Sequence, residues 1–369
     1  MPKLSINVAC YNVENYISRC LESLTSQTLS EIEINCIDNG SSDRTIEIID
    51  RFKRHYPNVN LHRNLSNVNL SGSRKNGLLV STAEYAMLID ADDWLEPDAC
   101  QILYNSITET GVDVVEYRCN VVDDGGTLVS TPEPYCPIVE GELHGADIFQ
   151  ALLENRIGQM TWNKIYRTDL ARKAYLHYTG EGFFHKEDVL FTNIFYRLSK
   201  SYFGINENLY NYRIGSGESH SIDFLGRLRN AEICTAITNA YYNMGALSNS
   251  ESTLVMKKIR KWINDASPGV VSPRMNDLAE IDHYKGAFIS AWGGVNLRNL
   301  LKASDPYALQ IGKFWLIEFL KCIGGMQIDK HDASDLNLLK MAIEKDEKFS
   351  GEHQNLAQLL GGANLEIST

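Results

Sequence analysis

Two periods alternate along the first hundred residues. Residues 4–10 (LSINVAC) form a short apolar run of strand type, and residues 13–26 then take helical spacing, with Tyr16, Ile17, Cys20, Leu21 and Leu24 on one face. Ile32, Ile34 and Cys36 alternate along a second strand over 32–37. The turn Asn39-Gly40-Ser41-Ser42-Asp43 then leads into a helix over 44–54. Residues 59–62 read as a third strand. A Ser71-Gly72-Ser73 turn opens a helix through Leu79, and residues 85–89 (YAMLI) form a fourth, buried strand. Strands and helices alternating at this spacing predict a parallel sheet covered on both faces, with ligands at the carboxyl ends of the strands.

The pattern then changes. Residues 112–117 and 127–129 read as strands around the turn Asp123-Asp124-Gly125-Gly126, Pro132, Pro134 and Pro137 mark a loop, and residues 146–154 and 187–198 have helical spacing. From Leu225 onward the spacing is mostly helical, as in 231–244, 254–263 and 313–323. The 369 residues are enough for about two domains. The change of period places a boundary near residue 224, between an α/β domain over 1–224 and a mostly helical domain over 225–369.

Charge sharpens that division. The net charge is −12, and residues 1–224 hold 19 basic and 31 acidic side chains against 16 of each in 225–369. No basic stripe is present for a nucleic-acid backbone or an anionic membrane surface. Eight cysteines without a C-x-x-C pair read as buried, reduced thiols. The chain starts as a strand rather than as a signal peptide, and no run of 18 apolar residues occurs. A soluble, cytoplasmic protein is expected.

The sharpest chemical feature is Met87-Leu88-Ile89-Asp90-Ala91-Asp92-Asp93-Trp94. Three carboxylates leave one buried strand, and close like charges need a cation or hydrogen bonds to offset them. A hard divalent ion, Mn²⁺ or Mg²⁺, suits carboxylate oxygens and leaves positions for phosphate. An acidic turn capping the next helix is the plain structural alternative. D-x-D also occurs in phosphatases of the haloacid-dehalogenase type. There it lies on an early strand and is followed by a small β-branched residue, whereas here three strands precede it and Trp94 follows.

Residues 4–97 resemble the inverting family-2 glycosyltransferases of GT-A fold. The matching segments, in order, are Ala9-Cys10-Tyr11-Asn12-Val13-Glu14-Asn15-Tyr16, Ser26-Gln27-Thr28, Ile37-Asp38-Asn39-Gly40-Ser41-Ser42-Asp43, Ser71-Gly72-Ser73-Arg74-Lys75-Asn76-Gly77-Leu78 and Asp90-Ala91-Asp92-Asp93-Trp94. Beyond residue 100 the likeness thins to residues 162–167, Glu187-Asp188 and Tyr212-Arg213. The resemblance implies a GT-A-like, Rossmann-type sheet domain with a nucleotide-sugar half (1–97) and an acceptor half (98–224).

It also implies roles. Tyr11 would stack on the nucleobase, with Asn12 beside it, and Asp38 and Asn39 would meet the base edge and ribose. The family usually has two acids where this chain has Asp38-Asn39, so UDP is favoured while a cytosine base is conceivable. Arg74 would approach the diphosphate, Asp90 the ribose, and Asp92 the metal with Asp93 in support. Asp188 would be the base that takes the acceptor hydroxyl's proton, with Glu187 its neighbour and competitor. Trp162, Lys164, Glu187 and Arg213 would lie on the acceptor side. Tyr212-Arg213 and Ser219-His220-Ser221 sit in a polar segment suited to a mobile lid, from which His220 could complete the metal site.

The expected reaction moves a sugar from a nucleotide diphosphate donor to a hydroxyl of a glycan or lipid-linked saccharide, with inversion, in surface polysaccharide assembly. A D-x-D phosphatase and a catalytically silent nucleotide-sugar-binding module are the alternatives. Phe314, Trp315, Ile317, Phe319 and Leu320 suit either core packing or peripheral contact with the inner face of a membrane that carries a lipid-linked acceptor. Residues 98–224 carry 10 basic and 18 acidic groups, which points to a neutral or weakly charged acceptor.

Overall fold

The computed structural model describes residues 1–64, 68–130, 136–178 and 187–214, with positions 237, 240 and 244. The chain divides into two compact units, and all of these residues belong to the first, Met1–Ile222 with Ala236–Lys258. The expected helical segments beyond 224 and the domain boundary itself lie outside the described residues, apart from those three positions.

Alternating strands and helices build the first half as the hydrophobic periods predict. They are β1 (Leu4–Cys10), α1 (Ile17–Thr25), β2 (Ile32–Asp38), α2 (Thr45–His55), β3 (Val59–Arg63), α3 (Asn69–Val80) and β4 (Tyr85–Asp90). After β4 come β5 (Trp94–Leu95), α4 (Ala99–Thr110), β6 (Val114–Val122), β7 (Leu128–Ser130), β8 (Gly141–His144) and α5 (Ala146–Leu153). The last described elements are β9 (Lys164–Arg167), α6 (Thr168–Leu176), α7 (Glu187–Leu198) and β10 (Ser201–Arg213).

The strands form one sheet in the order β3-β2-β1-β4-β9-β6-β10-β5, with β7 added to β6 and β8 to β10. β1 to β4 are mutually parallel. β9 lies antiparallel to both β4 and β6, and β10 is parallel to β6. The antiparallel insertion of β9 therefore turns β6 and β10 the same way as β1 to β4. The carboxyl ends of all six converge on one edge of the sheet, and β1 to β4 keep the parallel order that the pattern of the first hundred residues predicts.

Burial follows the period. Ile17, Cys20, Leu21 and Leu24 of α1 are buried, and Leu4, Ile6 and Val8 of β1 are wholly shielded from solvent. Each such aliphatic side chain contributes roughly 1.5–3 kcal/mol on burial. The helix expected to open at a Ser71–Ser73 turn instead starts at Asn69, with Ser71, Ser73 and Arg74 buried on its inner face. Gly77 permits this close seat, since a Cβ there would lie 2.8 Å from Asn7 Cβ on β1. The segment holding Tyr212-Arg213 is the end of a thirteen-residue strand rather than a mobile lid. Pairing with β6 satisfies its backbone, and distant pairing of this kind leaves no local sequence signal.

Six cysteines, Cys10, Cys20, Cys36, Cys100, Cys119 and Cys136, are buried and not disulfide-bonded. Among the described residues, no helix is long and apolar enough to cross a membrane.

Candidate active site

The two loops that follow β1 and β2 are stitched together. Ser42 N donates to Asn12 Oδ1 at 2.8 Å, Asn12 N to Ser41 Oγ at 3.0 Å, Val13 N to Thr45 Oγ1 at 2.8 Å and Glu14 N to Asp43 Oδ2 at 3.0 Å. The short polar residues thus satisfy loop backbone groups that no strand or helix serves. Asn12 takes a positive φ of 51°, which Asn tolerates better than most residues. Its amide locks these loops together. Tyr11, 51% exposed, stands half out of the fold beside that lock.

Asp38 ends β2 with its carboxylate buried, accepting from Gly40 N at 3.3 Å and Ser41 N at 3.2 Å. Asn39 is buried too. Its Oδ1 accepts from Asn64 Nδ2 at 3.1 Å and Val68 N at 2.9 Å, while its Nδ2 donates to Asn69 O at 3.4 Å. An aspartate could not make that last bond. The Asn39 amide therefore ties the end of β2 to the start of α3.

At the end of β4 the three acids separate. Asp93 is 1% exposed and accepts from Tyr210 Oη at 2.7 Å and Arg213 N at 2.8 Å. Burial, then the charges of Asp92 and Asp90, push its carboxyl well above the ordinary range. Asp93 anchors β10 beneath the motif. Expected to support a metal, it is placed with both carboxylate oxygens accepting hydrogen bonds from β10. Asp90 and Asp92 stay partly accessible.

Arg74 is buried between two acids. Its Nη2 donates to Asp90 Oδ1 at 2.7 Å and its Nη1 to Glu187 Oε1 at 2.9 Å. Burial alone would lower its pKa, but Asp90, Glu187 and Asp188 together raise it. The guanidinium expected on a diphosphate is thus engaged as a clamp joining β4 to α7.

Glu187 and Asp188 open α7, where the helix dipole favours negative charge. Burial, followed by the charge of Asp188, nevertheless pushes Glu187 up to about 7, with Arg74 opposing. Asp188 is half-buried and accepts from Val189 N at 2.8 Å. Burial raises its carboxyl as well, against the pull of Arg74. A partly exposed acid with a raised pKa beside the end of β4 has the character of a general base.

Three acceptor-side expectations meet a different outcome. Lys164 is wholly buried, with Nζ 2.8 Å from Glu116 Oε1 and 2.7 Å from Asn163 Oδ1. Trp162 is 4% exposed and stacks on Tyr210 (4.6 Å) and Tyr212 (5.1 Å) of β10. Arg213 is buried, with Nε donating to Asp92 O at 3.0 Å and Nη1 to Asp124 O. These side chains hold the site from behind instead of lining it. His220 lies outside the described residues.

Sequence reasoning missed Tyr210, whose hydroxyl receives Asp90 N at 3.3 Å and donates to Asp93. It also missed Glu116, which accepts from Gly158 N at 3.0 Å, Tyr202 Oη at 3.0 Å and Tyr196 Oη at 3.2 Å. Glu116 sits mid-strand in an apolar run, and an acid there is the one signal that could have marked it.

Among the described residues, no three His, Cys, Asp or Glu side chains converge as a metal cage. The accessible pair Asp90 and Asp92 nevertheless fits a hard cation that takes one or two carboxylates and completes its shell with water and phosphate oxygens.

Comparison with known proteins agrees with this geometry. Residues 5–175 match the family model described as glycosyl transferase family 2. The chain is 32% identical to EpsH of Bacillus subtilis over 216 residues, 58% of this chain and 61% of EpsH. It is 30% identical to glycosyltransferase GlyA of Streptococcus pneumoniae over 223 residues, 58% of this chain and 31% of GlyA. It therefore spans under two thirds of either relative. Among solved structures, TarS residues 1–349 from S. aureus in complex with UDP share the fold at a TM-score of 0.62 and 19% identity, over 87% of this chain and 88% of that one. The mannosyltransferase PcManGT of Pyrobaculum calidifontis, in complex with GDP-Man and Mn²⁺, gives 0.51 and 12%, over 87% of each. The GT-A-like expectation is borne out, the phosphatase reading gives way, and residues 5–175 are a glycosyl transferase family 2 domain.

Proposed function

We propose that the protein is an inverting glycosyltransferase that moves a sugar from a nucleotide diphosphate donor, UDP-sugar first, to a hydroxyl of a glycan or lipid-linked saccharide. The observation that carries this reading is the acid set around Arg74: Asp90 at the end of β4 and Glu187-Asp188 at the start of α7. The nucleobase lies against Tyr11 at the ends of β1 and β2, where an exposed aromatic face supplies stacking. Asp188 takes the proton of the acceptor hydroxyl as that oxygen attacks the anomeric carbon. The bond to the diphosphate oxygen breaks on the opposite face, so the configuration inverts. Arg74 and Glu187 act as positioning residues, since both are engaged with each other behind Asp188.

A divalent cation held by Asp92 and Asp90 would neutralise charge that grows on the leaving diphosphate. UDP bound to TarS and Mn²⁺ bound to PcManGT support these two choices. Surface polysaccharide assembly is supported by the resemblance to the poly(ribitol-phosphate) beta-glucosyltransferase of Bacillus spizizenii, 32% identical over 115 residues, 30% of this chain and 18% of that one.

Thermal-shift screening of nucleotide diphosphates with and without Mn²⁺ tests the donor reading. UDP is expected to give the largest upward shift, and Asp92→Asn to abolish its dependence on Mn²⁺. A shift equal for all nucleotides, or none, sinks the donor assignment. Nuclear magnetic resonance of the product anomer then decides inversion.

A further inference from the structure

A second group of charges lies on the same edge of the sheet, at the β6, β10 and β5 side of β4, and the transfer chemistry above makes no use of it. Arg19, on the exposed face of α1, lays its guanidinium 3.4 Å from the centroid of the Trp94 ring. Arg213 approaches that ring at 5.2 Å and the Tyr16 ring at 5.0 Å. Two cations on one indole repel. Arg19 is held below its ordinary pKa, first by burial and then by the charge of Arg213. Arg213 has the exposed Asp124 carboxylate at 3.8 Å, whereas among the described residues Arg19 forms no ion pair.

The β6–β7 turn is shaped around this guanidinium. Gly126 takes a φ of +84°, and a Cβ there would lie 2.7 Å from Arg19 Nη1. Four elements thus assemble the spot: α1 with Arg19, β5 with Trp94, the β6–β7 turn with Gly126 and β10 with Arg213. Stacking fixes the plane of the guanidinium, and its fork of donors suits phosphate or carboxylate oxygens.

We infer that Arg19, stacked on Trp94 beside Arg213, binds an anionic group of the acceptor, a phosphate or a carboxylate. The inference rests on the transferase reading and deepens it. Tyr11, Asp38 and Asn39 mark the nucleotide side at the ends of β1 and β2, while Trp94 lies just beyond Asp92 and Asp93 on the chain, under the first turn of α1. An anion here would also relieve the repulsion between the two arginines. This narrows the neutral acceptor expected from overall charge. A long polyanion still meets the acidic surplus of the domain, while a single anionic group at Trp94 meets the exposed Arg19 guanidinium, with the buried Arg213 behind it.

The test uses the full chain with UDP and Mn²⁺, titrated calorimetrically with matched saccharides that differ only in carrying a terminal phosphate, a uronate or a hydroxyl. The anionic member of the set should bind about ten-fold more tightly than the neutral one, the scale of one charge-assisted contact. That preference should fall below about two-fold in Arg19→Gln and be partly kept in Arg19→Lys. The phosphate and uronate arms tell the two chemistries apart. Equal binding of the three saccharides, or a preference that survives Arg19→Gln, would overturn the inference and leave Arg19 as a prop for the hairpin. Failure of the parent chain to bind UDP would break the proposed function, a separate outcome read in the first titration.

Discussion

Two buried cations in this domain live under opposite electrostatic conditions. Lys164 is sealed with Glu116 between β9 and β6, one charge against one, and Asn163, Gly158, Tyr196 and Tyr202 complete the hydrogen bonds. Arg74 instead stands among three carboxylates, Asp90, Glu187 and Asp188, at the edge where six strands end. The first cluster is neutral and saturated. The second carries surplus negative charge, which adds to burial, the larger cause, in raising the Glu187 and Asp188 carboxyls. A balanced pair holds a fold together, while an unbalanced one keeps a proton acceptor ready.

The contrast can be broken by substitution. Asp188→Asn preserves the shape of the side chain but removes the base, so the transfer rate should fall by about 10²–10⁴ with UDP binding retained. Retained turnover would assign the base elsewhere, with Glu187 the first place to look. Lys164→Met leaves Glu116 charged in the core, and urea unfolding should show a loss of about 3–5 kcal/mol. A loss under 1 kcal/mol would mean that the pair is not the balanced anchor described.

Titration of stability separates the clusters more finely. Glu187 has an unfolded value near 4.5 and a folded value of about 7, so its ionisation is disfavoured in the folded state. Stability from this group is present below pH 4.5 and is lost as pH rises to about 7. In Glu187→Gln the downward slope over that window should shrink, as read by unfolding at stepped pH. An unchanged slope would remove Glu187 from the under-neutralised set. The smallest effect is expected at Tyr11. Tyr11→Ala should weaken UDP binding by about 0.5–1.5 kcal/mol with the melting temperature unchanged, because the residue is already half exposed.

The legible parts of the fold were those carried by local period. The spacing of Ile17, Cys20, Leu21 and Leu24 located α1, and α7 begins at Glu187 as its pattern indicates. The strand β10 was not legible, since its partners in β6 lie some ninety residues earlier and its polar residues mimic a loop. At the site, sequence motifs marked Asp90, Arg74 and Asp188, but the link between them passes through a side-chain contact 113 residues apart in the chain. Trp162 and Lys164 carried a family-like pattern that says nothing about depth, and packing put both in the interior.

The sequence by itself determined the strand–helix alternation, the acidic exit of β4 and the identity of the groups available for chemistry, because periodicity and residue type are local properties. Tertiary structure alone decided which acid is available. Asp93 is closed off by Tyr210 and the Arg213 backbone from β10, while Asp188 is brought to the site by the Arg74 clamp and left partly open. The physical reason is desolvation. Three neighbouring aspartates are alike on the chain, and only the distant elements folded over them set which one loses water and which one keeps it.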